Sequence, residues 1–446
     1  MPVSPARAAA FDILLLVEEE DAYASELLHS ARLDQLSVVD RGLATEIVMG
    51  VLRWRSRLDE DIGRASFKPL AKLDQEVVIA LRMAVYQIRC LTRVPSRAAI
   101  NESVELVKRA KKRSAAPFVN ALLRRVADGL RGKRFEENTA RDLVAQGLAR
   151  DFAHPRWLVE RWIGQLGPHD VLAICVGDQL IPKTALRLDS PDVAKELEDE
   201  CIELAPGSLL TTARIVKAGD LTQTTAFREG RVLIQDQGSQ LVAALVGKAG
   251  RILDCCAAPG GKTAAIAARN PTAKIIAAEL HPHRAALLRR RVSATNVQVI
   301  SADALALPLT GGFDRILADV PCSGTGTLAS NPEIKWRLKP ENLGNLHNKQ
   351  VAILHAVLQQ LAPGGRAVYS TCSLEREENE DVLDEVLRDT SRFTLLDCRN
   401  ELERLRNDGE LAWPDLYSLL SGPFLRTIPG VHPCEGFFAG IIERSA

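Results

Sequence analysis

The stretch ILDCCAAPGGKT, Ile252 to Thr263, decides how this chain reads. An apolar run ends at Asp254, small residues and Pro259 form a turn, Gly260-Gly261 follow, and a helical pattern starts at Lys262. That order predicts strand, tight loop and helix, which turns backbone N–H groups and a helix N-terminus toward a ligand at the carboxyl edge of a parallel sheet. A triphosphate-binding loop needs a glycine where Cys256 stands, so the spacing excludes it. Glycine-rich turns are common, and this one gains weight only from what lies downstream.

Two later segments matter: DVPCSGTG, Asp319 to Gly326, and YSTCS, Tyr369 to Ser373. Each cysteine closes an apolar strand-like run, RILADVPC and RAVYSTC, which in a doubly wound sheet brings Cys322 and Cys372 to the edge that carries the first loop. Two thiols then flank one ligand. Sulfur is the strongest covalent catalyst among the side chains, and C5 of a cytosine becomes nucleophilic only after something adds to C6.

The three segments together resemble the RNA cytosine-C5 methyltransferases that use S-adenosylmethionine, and NPEIKWRL, Asn331 to Leu338, points to the bacterial 16S ribosomal RNA branch, the RsmB (Sun/Fmu) family. The resemblance spans nearly the whole chain. It implies a 5-methylcytosine-forming enzyme acting on 16S ribosomal RNA at a cytosine-967-type site. It also implies cofactor contacts at Cys256, Ala257, Ala258, Pro259, Gly260, Gly261, Lys262, Glu279, Asp303 and Asp319, with Cys372 as nucleophile and Cys322 assisting product release. Glu279 stands where the family more often has Asp.

The residues support parts of this independently. Glu279 closes the second predicted strand about 20 residues past the glycine loop, the usual place for an acceptor of ribose hydroxyls. Asp303 follows the next strand, where it either accepts an adenine amino group or caps the following turn. Asp319, three residues before Cys322, is placed to hydrogen-bond ring N3 as charge develops there. A base inside a helix is out of reach, so the target cytosine is expected to be unpaired or flipped out. The remaining cysteines, Cys90, Cys175, Cys201, Cys255, Cys398 and Cys434, read as small apolar residues. His281 and His283 lack the partners of a metal site, so no metal is expected.

A chain of 446 residues exceeds one core, and three regions are expected: 1–140, 141–232 and 233–446. From Ser4 to about Arg125 apolar residues recur at helical spacing (Phe11, Leu14; Ile47, Val51; Val78, Leu81, Val85) with few strand signals, which predicts an all-α bundle. DRGLATEIVMGVLRWR and FVNALLRR resemble the NusB-type RNA-binding fold. A connector ending at His154-Pro155 leads to RWLVERWIGQLG, whose Trp157, Val159, Trp162 and Ile163 read as core, and then to a small α/β module that in the family resembles an RNA-recognition (RRM-like) insert. From Ile234 strands and helices alternate as in a Rossmann-like methyltransferase, and GVHPCEGFFAGIIER is expected to close the chain as an antiparallel strand pair.

Formal net charge is zero, yet residues 1–150 hold 25 Lys+Arg against 20 Asp+Glu, leaving 32 against 37 for the rest. The positive half is the expected partner of a polyanion. Within it, Lys108, Arg109, Lys111, Lys112, Arg113, Arg124, Arg125, Arg131, Lys133 and Arg134 face a single acid, Asp128, which predicts phosphate contacts that give affinity rather than sequence choice. Lys335 and Trp336 are candidates for RNA contact by charge and stacking. Nine cysteines without a CxxC pair indicate reduced thiols, and no leader or long apolar run appears. A cytoplasmic monomer with no membrane attachment is the expectation. Two rivals remain: a transfer-RNA or 23S cytosine methyltransferase with the same catalytic segments, and a non-catalytic RNA-binding or antitermination factor.

Overall fold

The computed structural model describes residues 3–20, 22–30, 33–129, 144–188, 190–388 and 390–446. The chain forms two compact units, Met1–Ile181 with Leu328–Arg337, and Pro182–Thr327 with Leu338–Ala446. The division therefore falls near 181 rather than at the expected 140 and 232. Residues 145–177 join the first, helical unit, and the small module joins the second.

The first unit is helical: α1 (Pro5–Glu19), α2 (Ala24–Leu28), α3 (Val38–Arg53), α4 (Arg55–Ala65), α5 (Gln75–Cys90), α6 (Ser96–Arg109), α7 (Ala116–Gly129), α8 (Ala145–Asp151), α9 (Arg156–Leu166) and α10 (Pro168–Gly177). Helix α1 starts with proline in its first turn, where the missing N–H costs nothing. Helix α5 is the hub, buried continuously from Val77 to Gln87, as an all-round apolar helix must be. Its polar residues find partners: Arg82 makes a two-pronged contact with Asp59 (2.7 and 2.8 Å), and Gln87 accepts from Arg7 at 2.6 Å. In α9, Val159 and Trp162 are buried, whereas Trp157 and Ile163 are half-buried.

Residues 328–337 complete this unit. Lys335 Nζ donates to the Arg53 carbonyl (3.0 Å) and Trp336 Nε1 to that of Leu52 (2.6 Å), so both supply donors to carbonyls that the last turn of α3 leaves open. Arg337 does the same near the end of α1, donating to Val17 O (2.5 Å) and Ala22 O (2.6 Å).

The second unit holds two sheets. Strands β1 (Ala185–Leu188), β2 (Glu203–Pro206), β3 (Ala213–Ala218) and β4 (Val232–Ile234) form an antiparallel sheet in the order β2-β3-β1-β4, with a helix at Asp192–Asp199 between β1 and β2 and a short one at Thr225–Arg228 before β4. This βαββαβ order is the split arrangement of RNA-recognition-like modules. The larger sheet has a parallel core β7-β6-β5-β8-β9, made by β5 (Arg251–Asp254), β6 (Lys274–Glu279), β7 (Val297–Ser301), β8 (Phe313–Asp319) and β9 (Leu361–Thr371). From β5 the chain builds outward one way through β6 and β7, then returns to β8 on the other side. The carboxyl ends of β5 and β8 form the switch point where open α/β sheets bind ligands.

The carboxyl-terminal segment departs from expectation. It contributes one strand, Phe438–Arg444, antiparallel to β9, and its other neighbours are Phe393–Leu396 and Phe424–Arg426 rather than a strand within the same segment. Two of its partners, β9 and Phe393–Leu396, lie far away in sequence, beyond the reach of local pattern.

Gly50 of α3 lies against the Tyr86 ring of α5, where a Cβ would come within 1.9 Å of Tyr86 Cζ. Helix propensity alone would make Gly50→Ala stabilising by about 1 kcal/mol. The clash with a buried ring is expected to reverse that sign, to a loss of about 1–3 kcal/mol in thermal or urea denaturation. Unchanged or raised stability would show that Tyr86 yields.

Candidate active site

The glycine loop takes its shape from Gly260, at φ +109°, a left-handed conformation that glycine adopts freely. A Cβ there would also meet Leu288 at 2.8 Å. Gly260 precedes the helix Gly261–Arg269, whose first N–H groups receive no side-chain cap. That open helix end suits an anionic group such as an amino-acid carboxylate. Below it Asp254 is buried and accepts from Thr263 Oγ1 at 2.7 Å, while its Oδ1 meets no hydrogen-bond partner among the described residues. Burial first, then the nearby charge of Asp319, push its pKa up to about 7 despite the Thr263 hydrogen bond.

Asp319, at the end of β8, is held from two sides. Its Oδ2 accepts Lys262 Nζ at 2.7 Å and its Oδ1 accepts Ser370 Oγ at 2.8 Å. Burial alone would lower the Lys262 pKa, but Asp319 outweighs it and holds the ammonium above its ordinary value, with Cys372 adding in the same direction. The loop lysine, the β8 acid and the β9 thiol thus act on one another.

Cys322 and Cys372 meet. Their sulfurs lie 3.3 Å apart, and the Gly326 N–H donates to the Cys372 carbonyl at 2.9 Å, joining the two loops. The hydrogen bond to Cys372, with burial, pushes the Cys322 thiol well above its ordinary range, so Cys322 stays protonated. The structure thus brings the two thiols together at one place on the sheet edge.

The other expected contacts fall on the same edge with different surroundings. Cys256 is half-buried, and the Ala257 N–H donates to Ala278 O of β6 at 2.9 Å. Glu279 is 4% exposed at the end of β6, where it accepts the His281 N–H at 3.0 Å and lies 3.8 Å from Arg284. Asp303 is exposed and caps the turn Ala304–Ala306 by accepting from Leu305 N through Oδ1, which is compatible with a ligand amino group at its other oxygen. The rings of His281 and His283 are 5.6 Å apart, and among the described residues no group of three or more metal-ligating side chains occurs. Of the cysteines read as small apolar residues, Cys175, Cys255 and Cys398 are buried and Cys90 and Cys434 half-buried, but Cys201 is exposed, at the end of a helix with φ +64°.

Comparison with known proteins fits this geometry. The family model "16S rRNA methyltransferase RsmB/F" matches residues 244–443, and the NusB family model matches residues 4–128. The Bacillus subtilis (strain 168) "Probable ribosomal RNA small subunit methyltransferase B" is 33% identical over 409 residues, covering 88% of this chain and 90% of its own. The chain belongs to the RsmB/F methyltransferase family. Another relative, "Ribosomal RNA small subunit methyltransferase B" of Pseudomonas putida, is 32% identical over 417 residues, covering 90% of this chain and 92% of its own. A crystal structure titled "Crystal Structure of PH0851" shares the fold at full coverage of both chains, with a TM-score of 0.77 and 22% identity.

In this RsmB/F-family chain the basic run is less one-sided than its sequence implies. Lys108 pairs with Glu105 (2.7 Å), Arg109 with Asp12 (2.7 Å), and Lys112 with Asp74 and Glu76 (3.4 and 3.5 Å), acids that lie outside the counted window. Arg125 stacks on Phe67, 4.6 Å from the ring centre. Lys111, Arg113 and Arg124 are exposed. Arg131, Lys133 and Arg134 lie outside the described residues. No helix among the described residues is long and apolar enough to cross a membrane.

Lys335 is a correction. It is 1% exposed, occupied with a helix carbonyl, and not presented to any outside ligand. Trp336 is half-buried with its ring N–H likewise taken. The residues that sequence reading missed are Ser370, which braces Asp319, and Glu378, which lies behind both cysteines. Neither carries a motif signal by itself.

Burial pushes the Lys335 pKa down to about 7, with Asp178 only partly opposing. The folded chain then binds fewer protons at this site than the unfolded chain from about pH 7 to about pH 10, so stability rises with pH across that window. Lys335→Met is expected to flatten that rise in denaturation measured from pH 7 to 10. A slope identical to that of the parent chain would count against a buried, weakly basic amine.

Proposed function

We propose that this chain methylates C5 of a cytosine in 16S ribosomal RNA, at a cytosine-967-type site, through a covalent bond between Cys372 and C6. The observation that carries the reading is the 3.3 Å approach of the two sulfurs at the sheet edge that also bears the glycine loop. In this reading the open helix end at Gly261 binds the carboxylate of S-adenosylmethionine, Glu279 accepts its ribose hydroxyls, and Asp303 faces the adenine amino group. When bound, S-adenosylmethionine supplies the methyl group that C5 takes up.

The side chains of the protein do the rest. Cys372 adds to C6 as a thiolate, which makes C5 nucleophilic. Asp319, fixed by Lys262 and Ser370, faces ring N3 and, in its protonated form, donates that proton to N3 as negative charge develops there. After methylation the C5 proton leaves to a base, the C5–C6 double bond re-forms and the Cys372 sulfur departs. Cys322, held protonated beside the departing sulfur, assists that expulsion. The relatives named as ribosomal RNA small subunit methyltransferase B support the choice of RNA, and the helical unit with exposed Lys111, Arg113 and Arg124 supports recruitment by phosphate contact.

Cys372→Ala is expected to reduce methylation of 16S RNA transcripts to background and to yield no covalent product on denaturing gels. Cys322→Ala is expected to accumulate protein covalently joined to RNA. The reverse pair of outcomes would exchange the two roles. Replacing Lys111, Arg113 and Arg124 together by Ala should weaken RNA binding and lower the log-log salt slope by roughly one per lost phosphate contact, with S-adenosylmethionine affinity unchanged. An unaltered slope would move the RNA elsewhere.

A further inference from the structure

A buried carboxyl stands behind the two cysteines. Glu378 closes the turn Arg376–Glu378 and is 0% exposed. Its Oε1 accepts the Ser323 backbone N–H at 2.8 Å and Gln350 Nε2 at 2.9 Å. Its Oε2 accepts the hydroxyls of Ser323 and Ser373, the latter at 2.6 Å. Every contact is made as an acceptor, the pattern of a carboxylate. Ser323 directly follows Cys322 and Ser373 directly follows Cys372, and their hydroxyls lie 3.0 Å apart. Gln350 also donates to Pro321 O at 2.9 Å, and the neighbouring Asn379 donates to Ser373 O at 2.9 Å.

We propose that Glu378 is a positioning residue that clamps the Pro321–Ser323 and Thr371–Ser373 segments together, so that both sulfurs are presented to one pyrimidine. Its use in catalysis rests on the covalent reading above; the clamp itself rests on the hydrogen bonds. Beyond the strand ends of the β8–β9 ladder the loops are tied by the Gly326 N–H to Cys372 O and the Leu374 N–H to Thr325 Oγ1, both at 2.9 Å, and Glu378 adds a tie at the residues directly following the two cysteines. A single carboxyl with two oxygens can accept from both loops at once, where a pair of separate acceptors would let them drift. Without it the Ser323 N–H and one of the two Gln350 amide hydrogens stay buried with no acceptor, the other keeping Pro321 O, and the segments part or admit water. Glutamine preserves the shape: its carbonyl takes the two N–H donors, and its amide donates to two hydroxyls free to rotate.

Sulfur spacing can be read without RNA. Diamide takes two electrons and two protons from a thiol pair and leaves a disulfide, which peptide mapping of the full-length chain assigns to Cys322–Cys372. The parent chain and Glu378→Gln are expected to form it at rates within about threefold of each other, and Glu378→Ala about tenfold or more slowly, because bond formation demands close sulfur approach. Methylation by Glu378→Ala should fall in kcat rather than in KM for RNA, by about a hundredfold for a displacement near 1 Å, with S-adenosylmethionine binding intact. Oxidation of Glu378→Ala as fast as the parent would overturn the clamp, and so would a Glu378→Gln chain as slow as the alanine variant. Should Glu378→Ala fail to fold, Ser323→Ala combined with Ser373→Ala removes the hydroxyl half of the clamp and is held to the same comparison. Methylation that survives Cys372→Ala would sink the covalent reading and leave the oxidation rates to judge Glu378 alone.

Discussion

The parallel pairing of β8 with β9 sets everything that follows. Asp319 is in register with Ser370, so the two strands end side by side, and each thiol lies two or three residues beyond that matched position. Parallel strands point their carboxyl ends the same way, and the loops leaving them have no choice but to share an edge. The register also delivers the Ser370 hydroxyl to Asp319. A slip by one residue would turn Asp319 to the other face and separate it from Lys262. The sheet thereby acts as a ruler for the chemistry.

Charge at this edge is arranged in layers. Nearer the surface the Lys262 ammonium and Asp319 carboxylate satisfy each other. Deeper, Asp254 is so far from water that burial drives its pKa up to about 7, against the lowering effect of the Thr263 hydroxyl, the Lys262 charge and the Cys256 backbone. Asp319 raises it further, because two carboxylates near one another resist double ionisation. The loop lysine therefore offsets an acidic site while leaving the helix end above it open for an anion. Glu378 belongs to a separate layer, set among neutral donors and facing the cysteine segments.

The helical unit solves a different problem. Ends of α1 and α3 expose carbonyls that no helix can satisfy internally, and donors from Lys335, Trp336 and Arg337 reach them from residues more than 275 positions later in the chain. A buried ammonium is costly, and its lowered pKa records that cost. The segment NPEIKWRL that pointed to the family is thus, in its basic and aromatic residues, a helix-end seal. The same lesson applies to the basic run, where Arg109 and Lys112 are met by Asp12, Asp74 and Glu76 from other helices.

Local order was written in the sequence wherever the physics is local. The apolar run, glycine pair and helical start of ILDCCAAPGGKT specify a strand-loop-helix because glycine alone tolerates the left-handed turn at Gly260. The helical spacing of the first 125 residues, the alternation after Ile234, and the two cysteines at strand ends were legible for the same reason. What the tertiary structure alone decided depends on residues brought together across long separations. It set the 3.3 Å between two sulfurs 50 positions apart and the carboxyl of Glu378 behind them. It also set the antiparallel partners of Phe438–Arg444, and the burial of a lysine that composition assigns to the surface. Periodicity reports which face of an element is apolar; it carries no information about what that face, or the loop after it, will meet.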